Sequence, residues 1–527
     1  MENPNLILQS TASFLLAAAV VELFPDVQIS GGQGTEKYFY RDFVFPFEFN
    51  PEFLPLIEER MRLIVREKRA VRLTEMMTGN AASLMQHRQQ SLLAQQLLNT
   101  RQATLPMVQI GDFIIPHAQP ILDELAIPHL KILECYPLNQ KRSVRIVGAA
   151  ALDKDKLKQI AKEPSVGSRS HQKVASEMAL FCAAEEEGQW VWRPKGERLR
   201  HLLLELWRNE MSGQNFNLIC SSMPHNGNGN GDELLLAYAK RFQASKVAES
   251  SWFSNDEYAD SNDGLLSPKS YFDDRALLFC TEEKLLEECI SSLRFILKIP
   301  KILGFEFEIV LLVSSEGAHK TKAKKAAILR QALEEAGLNY SVEKQTRPGK
   351  YAGIDVRFAD SLGRKWTGPA LSLPDTRKLT AECPLLAISL LGPLERMCAL
   401  LLEKDEGWLP FWLAPEQVRI LVASHQKGVF ANEVEETLKS RGIRTTTVAG
   451  EGKLKACLFQ AFLEKVPFIL LLGDKEERTK TVAFRAYGER EERRLSLEDF
   501  CAKLRAVNTK LEADNIGMMS GNSEFKN

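Results

Sequence analysis

Val418 to Ala423 reads VRILVA, a continuous apolar strand, and the hundred residues around it decide the fold class. Helical charge spacing follows in Ala431 to Arg441 (ANEVEETLKSR), and Gly442 punctuates the way into Ile443 to Val448. Next come a helix over Leu454 to Lys465, a strand over Pro467 to Leu472 (PFILLL), a turn at Gly473 and a strand over Thr481 to Ala486. A helix from Ser496 to Lys510 closes the unit, with Ser496 and Asp499 as its start signal. Strands alternating with helices at this spacing predict a compact α/β domain with parallel strands.

Upstream, Glu282 to Lys298 reads as an amphipathic helix and Gly304 to Val313 (GFEFEIVLLV) as a strand, which suggests an antiparallel α+β middle domain. Ser222 to Asp232 contains His225 and an NGNGNG run, the composition of a mobile loop. The first 165 residues hold a charged helix at Ile57 to Glu67, a Gln-rich helix at Ala81 to Leu98, and strands at Met107 to Gly111 and Val144 to Val147. The domain boundary falls near Pro164 to Ser170, and the last dozen residues are expected to fray.

The 527 residues are 44% hydrophobic and 26% charged, enough for two to four folded domains. Sixty-eight Lys and Arg against 69 Asp and Glu give no global electrostatic footprint for nucleic acid, so any RNA contact is local. Nine Cys with no CxxC pair suit reduced core thiols in the cytoplasm. Phe14 to Phe24 (FLLAAAVVELF) has no basic residue before it and is too short to span a bilayer, so it reads as a buried helix.

Several segments, read in order, resemble the threonyl-tRNA synthetase family of class II aminoacyl-tRNA synthetases. Trp412 to Val418 (WLAPEQV) and Val466 to Glu476, ending in GDKE, are similar to signatures of its anticodon-binding domain. Trp192 to Gly196 (WRPKG) is similar to its HPKG, Phe279 to Glu283 (FCTEE) to its IFCTEE, and Gly304 to Glu308 to its GFEFE. Asp360 to Trp366 (DSLGRKW) resembles its DALGRxW hairpin, and Gly392 to Arg396 (GPLER) stands where the third class II motif reads GSxER. Ser10 to Pro25 and Tyr38 to Phe43 resemble the start of its editing domain.

The resemblance implies an α+β and α/β multidomain chain: a degenerate editing-like α+β domain at 1–165, a class II synthetase-like core with an antiparallel sheet at 166–408, an anticodon-binding-like α/β domain at 409–511, and a flexible tail at 512–527. It also implies a zinc ion held by one Cys and two His, yet the two His positions fall on Leu277 and Ala387, and MNCPxH has no counterpart between Phe242 and Asn255. Of the nucleotide-gripping arginines only Arg396 is kept; the others fall at Asn255 and Ser267, while the amino-acid-binding Gln and Asp fall at Asp273 and Arg275. In the editing pattern, HxxxH lands on Ser10 and Phe14 and CxxxH on Phe113 and His117, of which His117 alone remains. A lone His after Pro116 is more often structural than catalytic.

For the anticodon-binding unit, Glu476 and Arg485, with Lys475 beside them, stand as tRNA-binding candidates. Tyr487 replaces an Arg there, and the family's DDRNEK reads Val448 to Lys453. Glu282, Glu283, Glu287 and Glu288 read as a solvated helical face rather than a metal site, and Glu489 to Arg494 as a solvated hairpin edge. Lys320, Lys322, Lys324 and Lys325 form either a phosphate contact or a charged surface helix.

The expected function is a synthetase-like protein without aminoacylation or editing, needing no cofactor and acting as an adaptor for tRNA, such as threonine tRNA, or for an authentic synthetase. Resemblance implies a homodimer or a heterodimer through the first motif, where Phe216 keeps an aromatic position and Ser222 replaces a proline. No membrane or DNA partner is expected. The alternatives are a working threonine-tRNA ligase using ATP, Mg and Zn, and a protein scaffold with no RNA partner.

Overall fold

The computed structural model describes residues 3–517 apart from 101, 139–141, 185–188, 221–224, 227–231, 255–260, 315–319, 346–351, 375–384, 424–427, 450–453 and 490. Asn255, Ser222, the glycines of the NGNGNG run, Cys383 and the final ten residues therefore lie outside the described residues, as do the side chains of Lys320 and Lys322. The chain divides into two compact units. The first is Met1–Ser170 with two later excursions, Glu257–Ser267 and Ala359–Lys365; the second is the remainder.

In the first unit the helix Pro4–Leu23 is buried all round from Leu8 to Val20, and most of the residues buried there are apolar. Asn3 caps it by accepting the amide of Asn5, and Pro4 occupies the first turn, where its missing N–H costs nothing. The helix is longer than the apolar run suggested, because uncharged polar residues from Asn5 to Ser13 extend it backwards. At 20 residues it is long and apolar enough to cross a membrane, which corrects the expectation that the segment is too short. Every residue from Leu8 to Val20 is nevertheless buried within this unit.

The helix packs on a four-stranded antiparallel sheet ordered Gln28–Gly34, Phe39–Val44, Ser143–Ala151, His129–Pro137. Gly34 permits the approach, since a Cβ there would meet the backbone nitrogen of Ser10 at 2.2 Å. The Gln-rich stretch is two helices, Thr78–His87 and Ser91–Leu98, rather than one. Gln89 breaks it with φ +59°, and the Gln90 amide turns inward to donate to the Val27 carbonyl at 2.8 Å.

Among the described residues the second unit holds three sheets, the smallest pairing Phe181–Ala183 with Trp190–Trp192. The largest has nine strands and is mainly antiparallel, with Lys246–Ser254, Ser270–Phe279, Leu385–Ser389 and Lys365–Leu373 as consecutive neighbours. The expected strand from Gly304 begins only at Glu308, because Gly304 sits at φ +68° and ends the preceding helical turn. The helix expected over Glu282 to Lys298 is a 3₁₀ turn, Glu282–Lys284, leading into Leu285–Ile296.

The C-terminal sheet is ordered Thr445–Ala449, Val418–Val422, Phe468–Leu472, Thr481–Ala486, Arg493–Ser496. Its first three strands are parallel, but the last two run antiparallel, so the sheet is mixed rather than parallel. Val418–Val422 is buried on both faces, and Arg419 is tolerated there because Glu416 accepts from its Nε at 2.8 Å. Gly473 opens a short helix, Asp474–Thr479, where a simple turn was expected. The closing helix runs to Gly517, into the stretch expected to be a tail.

Candidate functional site

Strand pairing in the large sheet brings together the two positions that resemblance assigns to zinc-binding histidines. Leu277 lies directly opposite Ala387, and Val247 opposite Leu277 on the other side. Side chains two residues apart share a face of a strand, so Leu277, Phe279, Leu385 and Ala387 converge on one patch. The helix Asp232–Phe242 covers that patch with Leu235 and Ala239, and Leu235, Val247 and Leu277 are fully buried. A zinc ion needs thiolate, imidazole or carboxylate in tetrahedral array, and Leu277, Ala387, Leu235 and Ala239 offer none of these. The residues present do not fit the metal. The stretch from Phe242 to Asn255, searched for a Cys signature, holds a regular strand in Lys246–Ser254.

Farther along the same strand, Arg275 pairs with Glu249 and Asp273 with Ser251. The Asp273 carboxyl is pushed up to about 7, by burial first and by neighbouring Asp274 next. The Arg275 guanidinium lies 4.3 Å from the centroid of Phe253. Asp274 points to the opposite face, where it accepts the amides of Leu390 (2.6 Å), Leu391 and Gly392 (both 2.9 Å) and the Trp207 indole N–H (3.0 Å). This carboxylate ties down the GPLER segment. Gly392 there has φ +69°.

Arg396, the retained arginine, opens the helix Leu394–Lys404. Its guanidinium lies 5.2 Å from the Trp366 ring centroid and donates to the Thr367 carbonyl at 3.4 Å. Burial lowers its pKa, partly offset by Asp273. Its neighbour Glu395 accepts the amide of Phe272 at 2.7 Å, and burial raises its carboxyl to about 7. Class II adenylate chemistry is charge stabilisation at phosphate, and the loss of one such donor commonly costs about 2.7 to 4 kcal/mol. Ser267, at a second arginine position, folds with the first unit.

The first unit gathers all four editing-like positions. Ser10 and Phe14 lie one turn apart on Pro4–Leu23, and Phe113 and His117 lie on and just after Phe113–Pro116. Phe14 meets Phe113 edge-on at 5.4 Å and His117 at 5.6 Å. The His117 ring is bonded on both nitrogens, to Ser10 Oγ through Nε2 (2.7 Å) and to Arg41 Nη2 through Nδ1 (3.0 Å). Because a guanidinium can only donate, Nδ1 accepts; the neutral ring then carries its proton on Nε2 and donates to Ser10. That polarity is opposite to the one in which a His base withdraws a Ser proton. Burial and the Arg41 charge push the His117 pKa down to about 3, which keeps the ring neutral. Phe14 and Ser10 are fully buried, and His117 nearly so.

Sequence reading did not find Arg41, nor a buried ionic cluster in the same unit. Arg145 makes two 2.7 Å bonds to Asp42 and reaches Asp263 at 3.1 Å. Arg364 also holds Asp263, and donates to Asp360 at 2.6 Å and to the Tyr40 hydroxyl at 3.1 Å. Burial opposes ionisation of Asp263, but Arg364 and then Arg145 outweigh it and hold the carboxyl at about 2. The available signal was the charged pair Arg41-Asp42 inside the otherwise aromatic run Tyr38 to Phe43.

In the C-terminal sheet, Glu476 is buried and already engaged. It accepts the amide of Gly473 at 3.1 Å and lies 3.3 Å from Arg494 Nε. Lys475 is exposed. Arg485 lies opposite Ile469, and its Nε is buried without a hydrogen bond. Tyr487 stacks on Trp408 and remains exposed.

Residues 417–507 match the family model described as an anticodon binding domain. The chain is 26% identical to a threonine–tRNA ligase of Nitrosococcus oceani, with 94% of this chain and 87% of the relative covered. It is 27% identical to the enzyme of the same name from Clostridium novyi, with the same coverage. Among solved structures, the RNA binding domain of threonyl-tRNA synthetase from Cryptosporidium parvum aligns with a TM-score of 0.57 at 22% identity, over 64% of this chain and 98% of that one. A putative threonyl-tRNA synthetase from Aeropyrum pernix aligns with a TM-score of 0.54 at 16% identity, over 67% of this chain and 98% of that one.

Proposed function

Because the chain belongs to the threonyl-tRNA synthetase family, we propose that it binds tRNA through its anticodon-binding region without charging or editing it. In this reading it serves in the cytoplasm as an adaptor that presents tRNA to, or assembles with, an authentic synthetase. The observation that carries the proposal is the Leu277–Ala387 pair, packed under the helix Asp232–Phe242 in an apolar cluster, with no group of three or more His, Cys, Asp or Glu placed to hold a metal among the described residues. The aromatic filling of the editing-like site by Phe14 and Phe113 supports the same conclusion independently. The working division is an editing-like domain at 1–165, a core at 166–408 and the anticodon-binding region at 409–511.

RNA contact is assigned to Arg485, whose buried Nε has no partner, and to exposed Lys475. Glu476 bonds Gly473 and lies beside Arg494, so it has less freedom to read a base. Purified chain should hold no stoichiometric zinc and should support no threonine-dependent pyrophosphate exchange, yet should retain threonine tRNA on filters with affinity that falls steeply with salt. Enzyme-like exchange would establish a working ligase that retains Arg396 and uses ATP and Mg. Salt-insensitive or absent tRNA retention would leave a protein scaffold.

A further inference from the structure

We propose that Lys195 is a positioning residue, an ionic bolt that holds the C-terminal sheet at a fixed angle to the large sheet, so that a tRNA bound on the former meets the rest of the chain in one orientation. This role rests on the RNA reading above. Both sheets lie in the second unit. Lys195 stands in the first turn of the helix Pro194–Gly213, where a cation opposes the helix dipole and needs an anion to offset it. Gly196 lets that turn sit against the Leu180 carbonyl, whose oxygen a Cβ would meet at 2.0 Å. The helix is tied to the large sheet by Trp207, which donates to Asp274 at 3.0 Å, and by Arg200, 3.3 Å from Glu395.

From there Lys195 Nζ donates to Glu416, 221 residues along the chain, at 2.5 Å, and to Glu464, 269 residues along. Arg419, on the buried strand Val418–Val422, grips the same two carboxylates: its Nε donates to Glu416 Oε1 at 2.8 Å, and its Nη2 to Glu416 Oε2 at 2.5 Å and to Glu464. Two carboxylates and two cations balance, and of the four only Lys195 comes from the helix. Burial opposes ionisation of Glu464, but bonds from Arg419, then Lys195 and Gln460, outweigh it and hold the carboxyl at about 2. The Glu464 side chain is 11% exposed and that of Lys195 28%, while Glu416 and Arg419 are buried, so Lys195 is the member that water can reclaim. Its loss leaves one guanidinium facing two carboxylates, an uncompensated charge in a largely buried joint. Another charged approach of this helix to the C-terminal sheet is repulsive: burial first and the Arg198 charge next push the Arg444 guanidinium down to about 10, with Glu205 opposing. Leu409, Ala414 and Pro415, on the connection between the two sheets, line one small cavity with Lys195, Glu416 and Glu464.

Two measurements on the full chain test this: filter binding of a threonine tRNA transcript and of its isolated anticodon stem–loop, and hydrogen exchange across residues 405–416. Lys195→Met should weaken retention of the full tRNA about tenfold and leave the stem–loop within about twofold, because only the longer RNA must meet both sides of the joint. The amides of Gly407, Trp408, Leu413 and Ala414, each hydrogen-bonded in the closed joint, should exchange about tenfold faster in that variant, with the strand Phe468–Leu472 unchanged as a control for folding. Lys195→Arg, which keeps a cation between the carboxylates, should return both readouts to within about threefold of wild type. Lys195→Met/Glu464→Gln, which removes the surplus charge together with the bolt, should be no worse than Lys195→Met alone. Unchanged exchange in Lys195→Met, additive single variants, or equal losses for tRNA and stem–loop would each overturn the proposal. A stem–loop and a full tRNA both bound as in wild type would overturn the positioning role alone, whereas a wild type that retains neither RNA would overturn the RNA reading and the positioning role with it.

Discussion

The buried His117 makes a quantitative prediction about acid stability. Its pKa is about 3 in the folded chain against an ordinary value near 6.5, so the folded state binds fewer protons than the unfolded one. Stability from this group is therefore intact above about pH 6.5 and drains away as pH falls toward 3. The full window is about 3.5 units at 1.36 kcal/mol each, roughly 5 kcal/mol, and the loss between pH 7 and pH 4.5 is about 2.5 kcal/mol. A Gln side chain can donate to Ser10 and accept from Arg41 without titrating, so His117→Gln isolates the effect. All seven tryptophans lie in the second unit, which makes intrinsic fluorescence blind to this one. Urea-dependent hydrogen exchange of peptides spanning Pro4–Leu23, compared between wild type and variant at each pH, reads it directly. Wild type should lose about 2.5 kcal/mol more than the Gln variant from pH 7 to 4.5. Parallel pH dependences would refute both the neutral tautomer and the donor polarity drawn from it.

Three further outcomes follow from the packing. Leu277→Ala should cost about 2 to 5 kcal/mol in urea denaturation followed by tryptophan fluorescence, because the site is a filled core position rather than a vacated metal pocket. Arg364→Met leaves Asp263 and Asp360 short of a cation in a buried cluster and should destabilise the first unit by about 3 to 5 kcal/mol, measured by the same exchange assay. Asp263, held at about 2, contributes stability above its unfolded value near 4 that is lost as pH falls through 2, a window below most of that of His117. Arg485→Ala should weaken tRNA retention and flatten its salt dependence by about one unit of slope, whereas Glu476→Gln, which keeps an acceptor for Gly473, should change retention little.

Legibility in the sequence followed the scale of the physics involved. The order of strands and helices from Val418 to Ala486 was readable because each apolar run is long enough to show its period. The reversal of the last two strands was not, since strand direction depends on which neighbour a segment reaches, and Thr481–Ala486 looks the same either way. Leu277 and Ala387 were identified as replacements by motif position, but their direct opposition across two strands is a register fact. Arg41 and Asp42 escaped because alternation predicts one buried and one exposed face, whereas Phe39–Val44 is buried on both. Nothing local to 257–267 or 359–365 announces that these excursions fold with the first unit, because Asp263 and Arg364 meet their partners across more than a hundred residues of chain.

The positions that resemblance assigns to chemistry are packed as an ordered core. Removing one ligand from a buried polar site strands the others, and each orphaned group costs about 1 to 3 kcal/mol, whereas replacing partners together by apolar groups is nearly neutral. At the zinc-like position both histidine sites are hydrocarbon, and Leu235 and Ala239 close over them. At the editing-like site two of the four positions are phenylalanines in edge contact, and the surviving His117 is satisfied on both nitrogens by Ser10 and Arg41. Both patches are packed as parts of a cooperative core rather than left as stranded polar groups. Among the buried side-chain atoms of the described residues that lack a hydrogen bond is the Nε of Arg485 on the C-terminal sheet, so a partner for that group must come from a rearranged side chain or from outside the chain.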